Sequence, residues 1–210
     1  MSSTPPDFIY FDLGNILFRF CHERMLRQMA AVSAVEIESL RTVIFGPLGP
    51  AFDRGEVSPQ GFYGRLTDAL QVEAPFDALE EACSNIFEPI PETCALAAAL
   101  QANGVRCGVL SNTNHSHWNF IQRKFPGALP SFAVTVLSYE VGSIKPQPEI
   151  YRRAAELAGA DPAKILFFDD RPENVAAARE EGWDAVLIED PQRIRGELLA
   201  RGFGEKLNCE

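Results

Sequence analysis

Phe8-Ile9-Tyr10-Phe11-Asp12-Leu13-Gly14-Asn15 is a run of four apolar residues that stops on a carboxylate and a Gly-Asn pair. Such a run, bounded by turn formers, reads as a buried strand ending in a loop. A strand buried on both faces belongs in a parallel sheet with helices on each side. The same pattern recurs downstream. Gly108-Val109-Leu110 runs into Ser111-Asn112, and Ile165-Leu166-Phe167-Phe168 runs into Asp169-Asp170. A strand expected over about 132–138 leads to the loop Gly142-Ser143-Ile144-Lys145-Pro146.

Outward from these runs the chain has two textures. After Pro89 and Pro91, helices and strands alternate. Helices are expected at about 92–102, 115–124, 147–158, 172–181 and 191–200, with strands at about 105–110, 132–138, 164–168 and 184–188. Between about Cys21 and Glu88 helical periodicity dominates instead, as in Met25, Leu26, Met29 and Val32, or Phe62, Leu66 and Leu70. Pro47, Gly49, Pro50 and Gly55 punctuate this stretch, and no strand is expected in it. The expected fold is therefore α/β: a Rossmann-like, doubly wound parallel sheet formed by 6–18 and 90–210. A small all-helical cap, 19–89, is inserted after the first strand.

The 210 residues are 46% apolar and 23% charged, enough to bury a sizeable core. The net charge of −10, with no basic cluster beyond short groups such as Arg152-Arg153, argues against nucleic acid as a partner. A phosphorylated small molecule remains compatible with an acidic chain if a metal and one lysine supply local positive charge. The five cysteines, Cys21, Cys83, Cys94, Cys107 and Cys209, are odd in number and form no C-x-x-C pair. Neither a disulfide framework nor a zinc site is suggested, and buried free thiols are expected. The stretch from Met1 to Asp7 lacks an apolar signal region, and no apolar run reaches membrane-spanning length. A cytoplasmic location without a membrane partner fits these features, and the oligomeric state is not legible.

Four polar groups thus stand at the ends of strands, where open α/β sheets bind ligands. A carboxylate such as Asp12 can act as a nucleophile toward phosphorus or carbon. The tandem Asp169-Asp170 can help to hold Mg2+, which prefers oxygen ligands. Ser111 can donate its hydroxyl to a phosphoryl oxygen, and Lys145 can place a point charge on a transferring group. Taken singly, each has an ordinary structural reading as a helix cap, a turn residue or a surface charge. Their order and their common place at strand ends favour a site.

Four stretches resemble the ordered motifs of the haloacid dehalogenase-like superfamily. They are Phe11-Asp12-Leu13-Gly14-Asn15-Ile16-Leu17, Leu110-Ser111-Asn112-Thr113-Asn114, Lys145-Pro146-Gln147-Pro148-Glu149-Ile150-Tyr151 and Phe168-Asp169-Asp170-Arg171-Pro172-Glu173-Asn174. Within it the chain is most similar to bacterial sugar-phosphate phosphatases related to the glucose-1-phosphate phosphatase, and to the N-terminal phosphatase domain of soluble epoxide hydrolase. The resemblance implies a Mg2+-dependent phosphatase acting on a small phosphorylated metabolite, with Asp12 as nucleophile and metal ligand. It implies that the Gly14 carbonyl and Asp170 also bind the metal, supported by Asp169 and Asn174. Ser111 and Asn112 would contact the phosphoryl group, Lys145 would neutralise it, and the helical insert would choose the substrate.

The chain departs from that pattern at Gly14, where most phosphatases of the superfamily carry a second Asp as general acid/base. A positioned acid/base is worth about 10²–10⁴ in rate. His22 and His117 are the imidazoles that could substitute for it. Arg19 could reach the substrate from the hinge, whereas Trp118 and Phe120 read as packing residues. Two other functions remain open. A weakly active phosphate-ligand binding or regulatory protein is favoured by Gly14 and opposed by the otherwise complete motif set. A haloacid dehalogenase, which needs no metal, is opposed by Asp169-Asp170.

Overall fold

The computed structural model describes residues 5–207. Its centre is a parallel five-stranded sheet: β1 (Phe8–Phe11), β4 (Cys107–Ser111), β5 (Val134–Leu137), β6 (Ile165–Asp169) and β7 (Asp184–Leu187), in the order β5-β4-β1-β6-β7. Because side chains alternate along a strand, each strand feeds two cores. Ile9, Phe11, Leu166 and Phe168 face one, while Phe8, Tyr10, Ile165 and Phe167 face the other. Five helices follow the alternation read from the sequence: α6 (Pro91–Ala102), α7 (His115–Lys124), α9 (Pro148–Ala158), α10 (Pro172–Glu180) and α11 (Arg193–Ala200). A single-turn helix, α8 (Ser138–Val141), follows β5 directly. None of the helices is long and apolar enough to cross a membrane.

Between β1 and α6 lie α1 (His22–Ser33), α2 (Ile37–Val43), α3 (Gly49–Asp53), α4 (Pro59–Leu70) and α5 (Phe76–Ser84). A π-turn at Ile44–Leu48, broken at Gly46 beside Pro47, joins α2 to α3. Met25, Leu26, Met29, Phe62 and Leu66 of this helical segment join the same apolar cluster as the Ile9 and Phe11 face of the sheet.

One expectation is corrected here. The segment 19–89 is not wholly helical: β2 (Phe18–Phe20) and β3 (Phe87–Pro89) pair antiparallel and clamp its two ends together. Three-residue strands are too short to show an alternating pattern, and their pairing is set by the distant partner. Of the five cysteines, Cys83, Cys94 and Cys107 are buried free thiols and Cys21 is half-buried, whereas Cys209 lies outside the described residues.

The sheet is packed closely enough to make Gly108 obligatory. A Cβ there would stand 2.6 Å from the Val134 carbonyl oxygen and 2.7 Å from the Tyr10 ring. Gly108→Ala is therefore expected to lower the unfolding free energy by about 1–3 kcal/mol, the usual cost of overpacking. Urea denaturation would measure this, and an unchanged midpoint would contradict the packing described.

Candidate active site

Asp12 follows β1 directly, Ser111 ends β4, Asp169 ends β6, and Lys145 lies in the loop between α8 and α9. In this strand order β1 has β4 on one side and β6 on the other, so their carboxyl ends open onto one crevice. A cavity of about 420 Å³ occupies it. Asp12, Gly14, Ser111, Asn112, Lys145, Asp170, Asn174, His22 and His117 all line this cavity. Asp169 lies beneath it, fully buried. Arg19 is exposed and takes no part in the lining, while Trp118 and Phe120 are buried packing residues.

Lys145 is the hub. Its buried Nζ is 2.8 Å from Asp12 Oδ1 and 2.6 Å from Asp169 Oδ2, and donates to the Leu110 carbonyl at 3.0 Å. The backbone of Lys145 is fixed by Asn112. The Asn112 side chain donates to the Lys145 carbonyl at 2.8 Å and accepts from its N–H at 2.7 Å. Burial works to lower the Lys145 pKa, but the two carboxylates overcome it and hold the ammonium above its ordinary value.

The three carboxylates have different surroundings. Asp169 accepts from the Arg171 N–H, from Asn174 Nδ2 and from Lys145, so its bonding capacity is largely spent inside the protein. Asp170 Oδ2 accepts from Asn15 Nδ2 at 2.8 Å. Asp12 receives Lys145 and the Leu13 N–H, both on Oδ1. Burial pushes the Asp12 carboxyl up to about 7; Lys145 opposes the shift, and the Asp169 and Asp170 charges reinforce it. One oxygen from each of Asp12, Asp169 and Asp170 falls within 4.8 Å of the others. An all-oxygen donor set of this kind fits a hard divalent cation, which would relieve the mutual repulsion. Ser111 Oγ makes only a long 3.4 Å contact to the Asn112 carbonyl and is otherwise available to a ligand.

No side chain stands at position 14, and the space is already filled. A Cβ on Gly14 would lie 2.7 Å from the Phe20 ring. His22 meets the Phe20 and Phe45 rings edge-on, with centroids 4.9 and 5.1 Å away. Burial lowers its pKa. His117 is held at both ring nitrogens. Asn114 Nδ2 donates to Nδ1 at 3.2 Å, which leaves the proton on Nε2, and Nε2 lies 3.8 Å from Cys83 Sγ. Burial lowers the His117 pKa to about 4, helped by the charge of His22. His117 is therefore a neutral pin between α7 and α5, which argues against its use as a proton shuttle.

Several lining residues were not anticipated from sequence. Asn15 orients Asp170 from a left-handed turn, with φ at 55°, a conformation that Asn tolerates. Thr113 has a buried hydroxyl with no hydrogen-bond partner. Asp53, from the helical segment, enters the cavity at the end of α3. Asn114 caps α7 by accepting from the His117 N–H at 3.0 Å. Only this last role has a sequence signal, an Asn just before a helix start.

With this geometry in place, comparison with known proteins is informative. The model of the haloacid dehalogenase-like hydrolase family matches residues 31–182. The chain belongs to that family and is a hydrolase. Its fold superposes on a HAD family enzyme from Bacteroides thetaiotaomicron, solved in complex with magnesium and inorganic phosphate. The TM-score is 0.78 with 26% identity, over 90% of this chain and 98% of that one. A predicted HAD-like family hydrolase from Porphyromonas gingivalis gives a TM-score of 0.81 with 25% identity, over 93% and 98% of the two chains. In sequence, the pyrimidine 5'-nucleotidase YjjG of Escherichia coli is 27% identical over 179 residues, covering 80% of this chain and 79% of that protein.

Removing the hub cation tests this electrostatic arrangement. Lys145→Met leaves two buried carboxylates without their partner and is expected to cost about 3–5 kcal/mol of stability at neutral pH. Without the cation the folded-state carboxyl pKa values rise, so the variant regains stability as the pH falls toward about 5. Thermal unfolding in metal-free buffer at both pH values would check this. A loss that grew on acidification would contradict it.

Proposed function

We propose that the protein is a Mg2+-dependent phosphatase that hydrolyses a small phosphorylated metabolite, a sugar phosphate, through an aspartyl-phosphate on Asp12. The observation that carries this reading is the Asp12 carboxyl. Lys145 and the Leu13 N–H fix Oδ1, while Oδ2 accepts no hydrogen bond among the described residues. A carboxylate anchored at one oxygen and open at the other is arranged to attack. Lys145 and Ser111 would meet the phosphoryl oxygens, with Asn112 holding Lys145 in place. Asp12, Asp170 and the Gly14 carbonyl would bind the metal, supported by Asp169 and Asn174. Bound there, Mg2+ would offset the charge repulsion between the carboxylates and an incoming phosphate dianion.

In this reading the helical segment between the β2–β3 clamp strands is a cap over the cavity, the core being formed by the flanking sequence. Phe20, Ile86 and Phe87 give its side of the cavity apolar surface, and His22 and Asp53 add polar groups. This mixture suits a small polyol phosphate, and the volume lies within the range of small-ligand pockets. The net charge of −10 and the lack of a spanning helix support a cytoplasmic enzyme that acts on neither nucleic acid nor membranes. Dehalogenation is disfavoured because it gives the clustered Asp12, Asp169 and Asp170 no cation to hold. A purely binding role is disfavoured by the unclaimed oxygen of Asp12.

Assays of phosphorylated metabolites with and without Mg2+ test the proposal. Wild type is expected to turn over sugar phosphates only with Mg2+, Asp12→Asn to lose this by at least about 10³-fold, as expected for loss of a nucleophile, and Asp170→Ala to lose the Mg2+ dependence. Binding of phosphorylated ligands without any turnover above the Asp12→Asn background would instead support the binding protein.

A further inference from the structure

The Phe20 ring occupies the space where a residue-14 acid would stand, so the proton needed by the leaving oxygen must come from elsewhere in the cavity. The groups on the core side are already committed. Lys145 is shared between two carboxylates, Asp169 is saturated, Asp170 holds Asn15, and both ring nitrogens of His117 are engaged. Among the described residues, the carboxyl that reaches the cavity from the helical segment is that of Asp53.

Asp53 is held in place from the core at two points. Asn114 Nδ2 donates to its Oδ1 at 3.1 Å, and Ser138 Oγ donates to its backbone carbonyl at 2.6 Å. The turn beyond it is pressed onto α8 so closely that a Cβ at Gly55 would lie 2.1 Å from the Tyr139 carbonyl oxygen. Asn114 is itself immobilised as the cap of α7, three residues beyond Ser111. Its amide therefore ties the Asp53 carboxyl to the same loop that carries the phosphate-facing hydroxyl. Asp53 Oδ2 accepts no hydrogen bond among the described residues.

We propose that Asp53, positioned by Asn114, is the general acid for the leaving group in place of the side chain missing at Gly14. This rests on the phosphatase reading of Asp12. As Asp12 attacks phosphorus, the bond from phosphorus to the ester oxygen breaks. The proton of the Asp53 carboxyl passes to that oxygen, releasing the alcohol and leaving a carboxylate. Asp53 then takes a proton from the water that attacks phosphorus. The bond from phosphorus to Asp12 breaks, inorganic phosphate leaves, and Asp53 is again an acid. Burial raises the Asp53 pKa, against the hydrogen bond from Asn114 and the charge of Arg54, which favours the protonated form this step needs.

The test is the response to leaving group. Asp53→Asn keeps an oxygen for Asn114 but cannot give up a proton. With an alkyl phosphate, turnover by Asp53→Asn is expected to fall about 10²–10⁴-fold. With an aryl phosphate, whose leaving group departs as an anion, the variant is expected to show a stoichiometric burst of phenolate at the wild-type rate. A slow steady state should follow, because the second step still lacks its base. Asp53→Ser should show the same split. A merely structural role would suppress the burst along with alkyl turnover. The proposal fails if burst and alkyl turnover fall together, if alkyl turnover stays within a few-fold of wild type, or if His22→Asn produces the split instead. Asp12→Asn must abolish the burst. A burst that survives in that variant would overturn the covalent reading rather than the assignment of Asp53.

Discussion

A single ammonium group, Lys145 Nζ, lies within 3.0 Å of the Asp12 and Asp169 carboxylates and the Leu110 carbonyl. Two aspartates this deeply buried cannot both ionise beside Asp170 without a cation among them. Lys145 supplies it, and its own placement is enforced by the reciprocal bonds to Asn112. Asn112 in turn directly follows Ser111, the last residue of β4. The nucleophile candidate, the phosphate-facing hydroxyl and the cation are thus positioned by three strands of one sheet through one connected polar network. In a low-dielectric crevice such a network stands or falls as a unit.

The helical segment completes this frame rather than merely covering it. Its ends are clamped by β2 and β3, and the Phe20 ring at that clamp removes the room for a side chain at Gly14. The same segment returns Asp53 to the cavity through Asn114 and Ser138. Loss of a group at one place and arrival of another therefore come from a single packing arrangement. The β2–β3 clamp and the shared apolar cluster of the segment and the sheet tie both to the core fold.

Much of this was legible in the sequence because the chemistry lies at the ends of local apolar runs. Phe8–Phe11 announces a buried strand, and the residue just past the end of such a strand lies, by topology, at the ligand-binding edge of the sheet. The same reasoning located Ser111, Asp169 and Asp170. It located Lys145 less directly, because α8 intervenes between β5 and the lysine. The β2–β3 pair was missed because strands of three residues carry no periodicity of their own. Asp53 and the Phe20 obstruction were missed because both arise from contacts between residues distant in sequence. His117 shows the reverse case. Its residue type suggested an acid/base, but its bonds to Asn114 and proximity to Cys83 make it a structural pin.

The central claim is that the phosphoryl group passes through the Asp12 carboxylate, and chemical trapping tests it most directly. Protein mixed with a phosphate ester and Mg2+ would be quenched in acid within a turnover, digested and weighed peptide by peptide. The account predicts that the mass of one phosphoryl group appears on the peptide carrying Asp12, and disappears when the substrate is exhausted. Sustained hydrolysis with no adduct on that peptide, or with the adduct on another residue, would contradict it.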